Sequence, residues 1–174
     1  MKGKVLVVPT DTVYGLLADA TNKKAVQKVF LVKGREKGKP VPIFVKDIAM
    51  AKTFARVSSL QEKYIRKVWP GKVTVVLKSR GKLSKETGTN SSVGLRIPKH
   101  RFVQAILHKV RLPLTGTSAN LTKKPSLISS KEVFEVFEKQ KNKPDIVIDA
   151  GKLPKSRPSR VVDISGKKAK ILRK

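Results

Sequence analysis

Short apolar runs typical of buried strands alternate along the chain with segments in which apolar residues recur at helical spacing. The first run, in residues 3–8, is rich in β-branched residues and predicts a buried strand. Pro9 ends it because proline has no N–H for the strand ladder. Apolar positions 26, 29 and 30 then predict a surface helix over Lys23–Lys33.

Further apolar runs predict strands at residues 41–45, 73–77, 93–97, 112–117, 145–149, 160–164 and 169–173. Helices are predicted at residues 47–56, 59–68, 100–109 and 129–139. Pro40 and Pro42 place the second strand at a sheet edge or make its pairing irregular. Because the strands and helices do not alternate strictly, we expect a mixed sheet.

Two of these helices begin with a capping-box pattern, Ser59-Leu-Gln-Glu62 and Ser129-Ser-Lys-Glu132. The predicted inner face of the first consists of Leu60, Tyr64, Ile65 and Val68. Residues 79–90 contain cations and glycines with almost no apolar residue, which indicates a flexible basic loop. We find no repeat or linker, so residues 1–174 are predicted to form a single α/β (α+β) domain.

The composition indicates a globular protein with an anionic partner. Hydrophobic residues make up 39% of the chain in well-spaced runs, which excludes disorder. The formal net charge of +28 favours polyanions such as RNA or nucleotides, unless it reflects only lysine-rich amino-acid usage. With no cysteine and two histidines, disulfides and thiolate or His-rich metal sites are excluded. No membrane span or signal peptide is visible, so we expect a cytoplasmic protein.

Polar residues cluster where predicted strands end, the position at which open α/β sheets bind ligands. Thr10, Asp11, Thr12 and Tyr14 follow the first strand, although they could also simply cap the next element. The segment 33–40 combines Lys, Arg and Gly, which suits phosphate but also a solvated basic turn. It lacks the spacing of a P-loop.

Arg96 lies inside an apolar strand and shares a face with Ser92 and Gly94. A buried charge needs a partner, and 12 acids cannot neutralise 40 cations, so a bound carboxylate or phosphate is a reasonable one. The alternative is an edge-strand arginine that reaches solvent.

Small polar residues also follow the strand at 112–117. Residues 116–120 and Ser126 could donate to an oxyanion, although a capped turn is the alternative. No nucleophile elbow is present, so Ser118 is not interpreted as a nucleophile. Ser159, Arg160 and Asp163 alone suggest only a polar edge. Together, the clusters predict one anion-binding pocket.

These clusters coincide with a series of motifs from the YrdC-like family. The chain contains, in the family's order, PTDTVYGL (9–16), KGR (33–35), KP (39–40), WPG with a following Thr (69–74), GLRIP-x-H (94–100), TSAN (117–120), KPS (124–126) and SRVVD (159–163). Over residues 5–173 the chain thus resembles the threonylcarbamoyl-AMP synthases. The resemblance implies a twisted, mostly mixed sheet flanked by helices, with a concave basic face.

The resemblance also implies a nucleotidyltransferase reaction in which L-threonine, bicarbonate and ATP give L-threonylcarbamoyladenylate and pyrophosphate. A separate transferase then modifies tRNA. By this resemblance Lys33 and Arg35 are the catalytic residues. The threonine-binding residues would be Thr12, Arg96, Gly116 and Ser159. The ATP-binding residues would be Arg35, Lys39, Ser92, Ser118, Asn120, Ser126 and Arg173. We expect Mg²⁺ as well, held by Asp11 or by ATP oxygens.

The chain departs from the family pattern at several positions. Phe44 stands where some synthases carry a histidine that contacts threonine, Glu36 stands where proline is usual, and Arg160 stands where threonine is common. Met1 to Lys4 leave no room for the helix that usually precedes the first strand, so part of the sheet is expected to be uncovered or covered by another chain. A non-catalytic module that binds tRNA or double-stranded RNA is the alternative function.

Overall fold

The computed structural model describes residues 3–35, 40–87, 91–166 and 168–174. The helices are α1 (Lys23–Lys33), α2 (Ile48–Phe54), α3 (Ser59–Val68), α4 (Arg101–Val110) and α5 (Ser130–Glu138), with a 3₁₀ turn at Lys85–Thr87. The strands are β1 (Leu6–Val8), β2 (Gly15–Leu17), β3 (Ile43–Phe44), β4 (Ala55–Arg56), β5 (Val73–Ser79), β6 (Ser92–Arg96), β7 (Leu114–Thr115), β8 (Thr117–Ser118), β9 (Ile146–Val147), β10 (Arg160–Asp163) and β11 (Lys170–Arg173).

The strands form two mixed sheets, which confirms the expected mixture of strand directions. The smaller sheet has the order β8-β2-β1-β9, with β1 antiparallel to β2 and parallel to β9. The larger has the order β11-β10-β5-β6-β3-β7, and β4 pairs with β5 outside that path. In it, β5 is parallel to β10 and antiparallel to β6.

The two sheets meet at Gly116, inside the segment predicted to be one strand. The chain forms β7 on one side of this glycine and β8 on the other; β7 pairs with β3 of the larger sheet, and β8 pairs with β2 of the smaller sheet. Thr115 also links the sheets, because its Oγ1 accepts from Ala18 N at 3.0 Å and donates to Leu16 O at 3.1 Å. The strand ends of both sheets therefore converge around Gly116.

Local capping signals correctly predict helix α1, where the Asn22 side chain accepts from Ala25 N, and α5, where the Glu132 carboxylate accepts from Ser129 N. The capping box of α3 lies one residue earlier than predicted, at Ser58 and Gln61. Leu60, in the first turn of this helix, is 79% exposed rather than on the inner face, whereas Ile65 is fully buried.

Two strands differ from the expectation. Gly15–Leu17 is a buried central strand that the sequence did not predict, because the polar residues before it hide the short apolar run. Strand β3 lies between β6 and β7 rather than at an edge, and it comprises only Ile43–Phe44, so the alternative of irregular pairing near the prolines agrees with the structure. The prolines before it are accommodated because β3 has only two residues, and the free Pro42 carbonyl accepts from Gly116 N at 2.7 Å.

Helices cover the buried sides of the sheets. Residues of α1, α2 and α3 pack with the larger sheet, α1 and α5 pack against β1 and β2, and α4 closes a third cluster beside β7. In the described part of the chain, no helix is both long and apolar enough to cross a membrane.

Candidate active site

A cavity of about 610 Å³ opens between the two sheets, where the strand ends converge. The predicted site residues that line it are Thr12, Lys33, Arg35, Ser92, Arg96, Gly116, Ser118, Asn120, Ser126, Ser159 and Arg173. Lys39, predicted to bind ATP, lies outside the described residues. The residues come from both sheets and from the end of α1, so the geometry brings distant segments into one hollow.

Lys33, the last residue of α1, is 5% exposed, and its hydrogen-bond partners among the described residues are all neutral oxygens. Its Nζ donates to Asn120 Oδ1 at 2.6 Å and Ser118 O at 2.7 Å, with Asn120 O at 3.2 Å and Ser118 Oγ at 3.3 Å. Burial, and then the nearby charge of Arg35, lowers the pKa of Lys33 from 10.5 to about 8. The ammonium fixes the 118–120 turn and places a positive charge beside the cavity.

Arg96 has an internal partner that the sequence reasoning did not identify. Its Nη2 donates to both carboxylate oxygens of Asp11, at 2.7 and 2.8 Å, and its Nε donates to Gly71 O at 2.8 Å. The side chains of Arg96 and Asp11 are 3% and 8% exposed. The alternative of a solvent-exposed arginine is therefore wrong, and the expectation of a bound anion did not foresee that Asp11 already pairs with Arg96. Burial lowers the pKa of Arg96, and Asp11 opposes that shift.

Two further arginines line the cavity. Arg173 Nε donates to Ser159 O at 2.9 Å and its Nη2 donates to Ser159 Oγ at 3.1 Å. Ser159 Oγ also lies 3.1 Å from Thr74 Oγ1, which links the residue before β10 to β5. Arg35 Nη2 donates to Pro40 O at 2.9 Å. Burial lowers the pKa of both arginines, because their charged forms lose hydration in the cavity wall.

The loop after β1 holds its own shape through hydroxyl groups. Thr10 Oγ1 donates to Val13 O at 2.6 Å, accepts from Thr12 N at 3.1 Å and lies 3.1 Å from Thr12 Oγ1. Tyr14 is fully buried, and its hydroxyl donates to Gly151 O and accepts from Ala150 N. Thr10 and Thr12 thus border the cavity, whereas Tyr14 is a structural residue that connects β2 to the segment after β9.

Phe44 forms part of the cavity wall and dictates the residue opposite it. The Arg96 guanidinium carbon lies 5.6 Å from the centre of the Phe44 ring, a cation–π distance. The ring packs so closely on Gly116 that a Cβ on that residue would clash with ring carbons. Glycine is required at position 116 for this reason, and its φ angle plays no part.

Gly116→Ala should therefore destabilise the protein by about 1–3 kcal/mol, the usual cost of overpacking. Urea unfolding would measure this, with Gly166→Ala as the control because a Cβ there meets no atom within 4 Å. Adding Phe44→Leu should recover part of the loss. Equal stability of Gly116→Ala and the control would show that the ring yields without cost.

The described residues do not fit a protein-held metal ion. They contain no group of three or more His, Cys, Asp or Glu side chains arranged to hold one. Asp11, one of the two alternatives for Mg²⁺, uses both carboxylate oxygens on Arg96 and also accepts from Lys99 N at 3.2 Å. This observation disfavours Asp11 as a metal ligand.

Several wall residues are not among the site residues that the sequence predicts. Phe44 stands out in the sequence only as a departure from the family pattern, Thr74 only as part of a motif, and Leu172 carries no signal. Period-two spacing could have placed Thr74 and Val76 on one face of β5, but it could not reveal which face borders the cavity.

Comparison with known proteins supports a common family. The Sua5/YciO/YrdC family model, described as telomere recombination, matches residues 1–174. The chain is 36% identical over 168 residues to the putative threonylcarbamoyl-AMP synthase of Methanocaldococcus jannaschii, covering 97% of this chain and 78% of that protein. It is 34% identical over 170 residues to the Homo sapiens threonylcarbamoyl-AMP synthase, covering 94% of this chain and 59% of that protein.

A solved structure has the same architecture. Pyrococcus abyssi Sua5 complexed with L-threonine has a TM-score of 0.90 and 31% identity, with 98% of this chain and 50% of that chain covered. The chain thus spans only about half of that longer protein.

Proposed function

Because the chain belongs to the Sua5/YciO/YrdC family, we propose that it is an L-threonylcarbamoyladenylate synthase. In this reaction L-threonine, bicarbonate and ATP give threonylcarbamoyl-AMP and pyrophosphate, which makes the protein a nucleotidyltransferase. The observation that carries the proposal is the convergence of Lys33, Arg35, Arg96 and Arg173 on one cavity between the sheets. Relatives that carry the synthase name, and one structure that contains L-threonine, support it.

The amino-acid substrate is assigned to the side of the cavity formed by Thr12, Arg96, Gly116 and Ser159. Within the described ranges Arg96 Nη1 donates no hydrogen bond to the protein, so we assign this nitrogen to the threonine carboxylate. Asp11 and Phe44 hold the guanidinium in place, which reduces the entropy lost on binding.

ATP is assigned to Arg35, Ser92, Ser118, Asn120, Ser126 and Arg173, with Lys39 as a further ligand. The carbamate of threonine and the α-phosphate are both anions, so the protein must hold them together and offset their repulsion. Lys33 and Arg35 supply fixed positive charge for this, and no covalent nucleophile is needed. Mg²⁺ is assigned to the ATP oxygens, without a protein ligand.

The product is a reactive mixed anhydride, and we propose that a separate transferase passes its threonylcarbamoyl group to tRNA. A non-catalytic RNA-binding module is the less favoured function, because a neutral-oxygen cradle around a buried lysine is unnecessary for surface binding of RNA.

The test is the dependence of pyrophosphate release on each substrate, measured by a coupled phosphate assay on the purified chain. We expect release of pyrophosphate only when ATP, threonine and bicarbonate are all present. Reactions in which serine or valine replaces threonine are the matched controls. Release that is independent of threonine, or binding of RNA with no release, would contradict the proposal.

A further inference from the structure

A second, shallower groove of about 710 Å³ lies beside the cavity on the larger sheet. Three exposed cations line it, Arg56 on β4, Lys78 on β5 and Arg80 just after β5. The rest of its wall consists of Val57, Ser58, Gln61, Ser165 and Gly166. Neither the family resemblance nor the proposed mechanism uses these residues.

The groove is a continuation of the cavity. Side chains alternate along a strand, so Lys78 lies on the same face of β5 as Thr74 and Val76, which line the cavity. Lys78 is also directly opposite Ser92, another cavity residue, across the β5–β6 pair. On the neighbouring strand, Asp163 lines the cavity and Ser165, two residues later, lines the groove.

The three cations of the groove lie close to one another. Arg56 and Lys78 face each other directly across the β4–β5 pair, an arrangement of like charges that destabilises a sheet. Arg80 is held next to them, because its Nε donates to Ala55 O at 3.1 Å. Among the described residues none of the three forms an ion pair. The nearby Asp163 carboxylate accepts from Ser165 N and Oγ at 2.8 and 2.7 Å.

We propose that this groove, formed by Arg56, Lys78 and Arg80, binds inorganic pyrophosphate as it leaves the cavity. The inference rests on the proposed function, which releases pyrophosphate when the carbamate oxygen attacks the α-phosphate. Two arginines and a lysine match the charge of pyrophosphate, and they lie beside cavity residues of β5 and β6, so they offer the leaving group a cationic site next to the cavity. Groove binding requires no turnover, so it can be measured even if the proposed reaction fails.

The experiment is calorimetric titration of pyrophosphate into the chain saturated with threonine and α,β-methylene-ATP, which occupy the cavity. We expect one pyrophosphate to bind under these conditions. Arg56→Gln combined with Lys78→Gln should weaken its binding about tenfold or more, as expected for the loss of two charge-assisted contacts. The matched control is Lys109→Gln combined with Lys131→Gln, two exposed lysines on α4 and α5, which should bind normally.

Three outcomes would overturn the proposal. The first is that the ATP analogue abolishes all pyrophosphate binding, and the second is that both variant pairs weaken binding equally, which would indicate a general charge effect. The third is that the Arg56/Lys78 pair weakens binding of a 20-base-pair RNA duplex but not of pyrophosphate. Circular dichroism of both variant pairs should match the unaltered chain, and Lys78→Gln alone serves as the second variant if the pair unfolds.

Discussion

Replacement of Arg96 by alanine is expected to abolish threonine binding and to lower the free energy of unfolding by about 3–5 kcal/mol, the usual cost of breaking a buried ion pair. The cost arises because the Asp11 carboxylate, 8% exposed, would lose both of its contacts to Nη2. Calorimetric titration of threonine and urea unfolding measure the two effects separately.

The double variant Asp11→Ala/Arg96→Ala separates the structural role of Arg96 from its role in binding. With both charges removed, most of the lost stability should return, but threonine binding should remain absent because the carboxylate has no guanidinium to meet. In turnover assays of Arg96→Ala, the KM for threonine should rise far more than the KM for ATP. Recovery of threonine binding in the double variant would show that Arg96 does not contact the substrate.

Lys33→Met is expected to lower kcat/KM by about 100- to 1,000-fold, the range found when one fixed electrostatic group is removed from a site where charge develops. Methionine has a similar length but carries no charge, and it leaves the acceptors of Ser118 and Asn120 without their donor. Steady-state pyrophosphate release measures the loss. A variant with unchanged kcat/KM would remove Lys33 from the mechanism.

The lowered pKa of Lys33 also predicts that the protein takes up protons when ATP binds. With a pKa of about 8, a substantial fraction of the Lys33 side chains is neutral near pH 8 in the free protein. The phosphates should raise that pKa, so ATP binding near pH 8 should take up a fraction of a proton, and ATP affinity should fall as the pH rises above about 8. Titrations in buffers of different ionisation enthalpy measure the uptake.

Lys33→Met is the control for this linkage, because it should take up no proton when ATP binds at pH 8. Equal proton uptake by the unaltered chain and by Lys33→Met would assign the proton to another group.

The pKa of Lys33 also predicts how stability depends on pH. A lysine whose pKa is lowered in the folded state binds its proton more weakly than in the unfolded chain. The free energy of unfolding should therefore rise between about pH 8 and pH 10.5.

Elements with local signals were predictable from the sequence, and elements that depend on distant pairing were not. Helix α1 has its cap at Asn22 and its left-handed end at Gly34 within the segment itself. The division between β7 and β8 instead depends on pairing with β3 and β2, which lie far away in the sequence. No local pattern near Gly116 carries that information.

The candidate site follows the same division. Polar residues at strand ends and the family motifs placed Thr12, Arg96 and Ser118 in one pocket, and the geometry brings them together. Total charge did not identify the partner of Arg96, because counting acids cannot reveal which one lies beside it. That acid is Asp11, which is 85 positions away in the sequence. The roles of the individual residues in binding remain predictions.

The central claim is that one cavity between the sheets holds both reactants. Its most direct test is a crystal structure of this chain with L-threonine and a non-hydrolysable ATP analogue. We expect the threonine carboxylate on Arg96 Nη1, with the α-phosphate in the same hollow beside Lys33 and Arg35. Threonine bound away from Arg96, or a nucleotide bound on another face, would contradict the account.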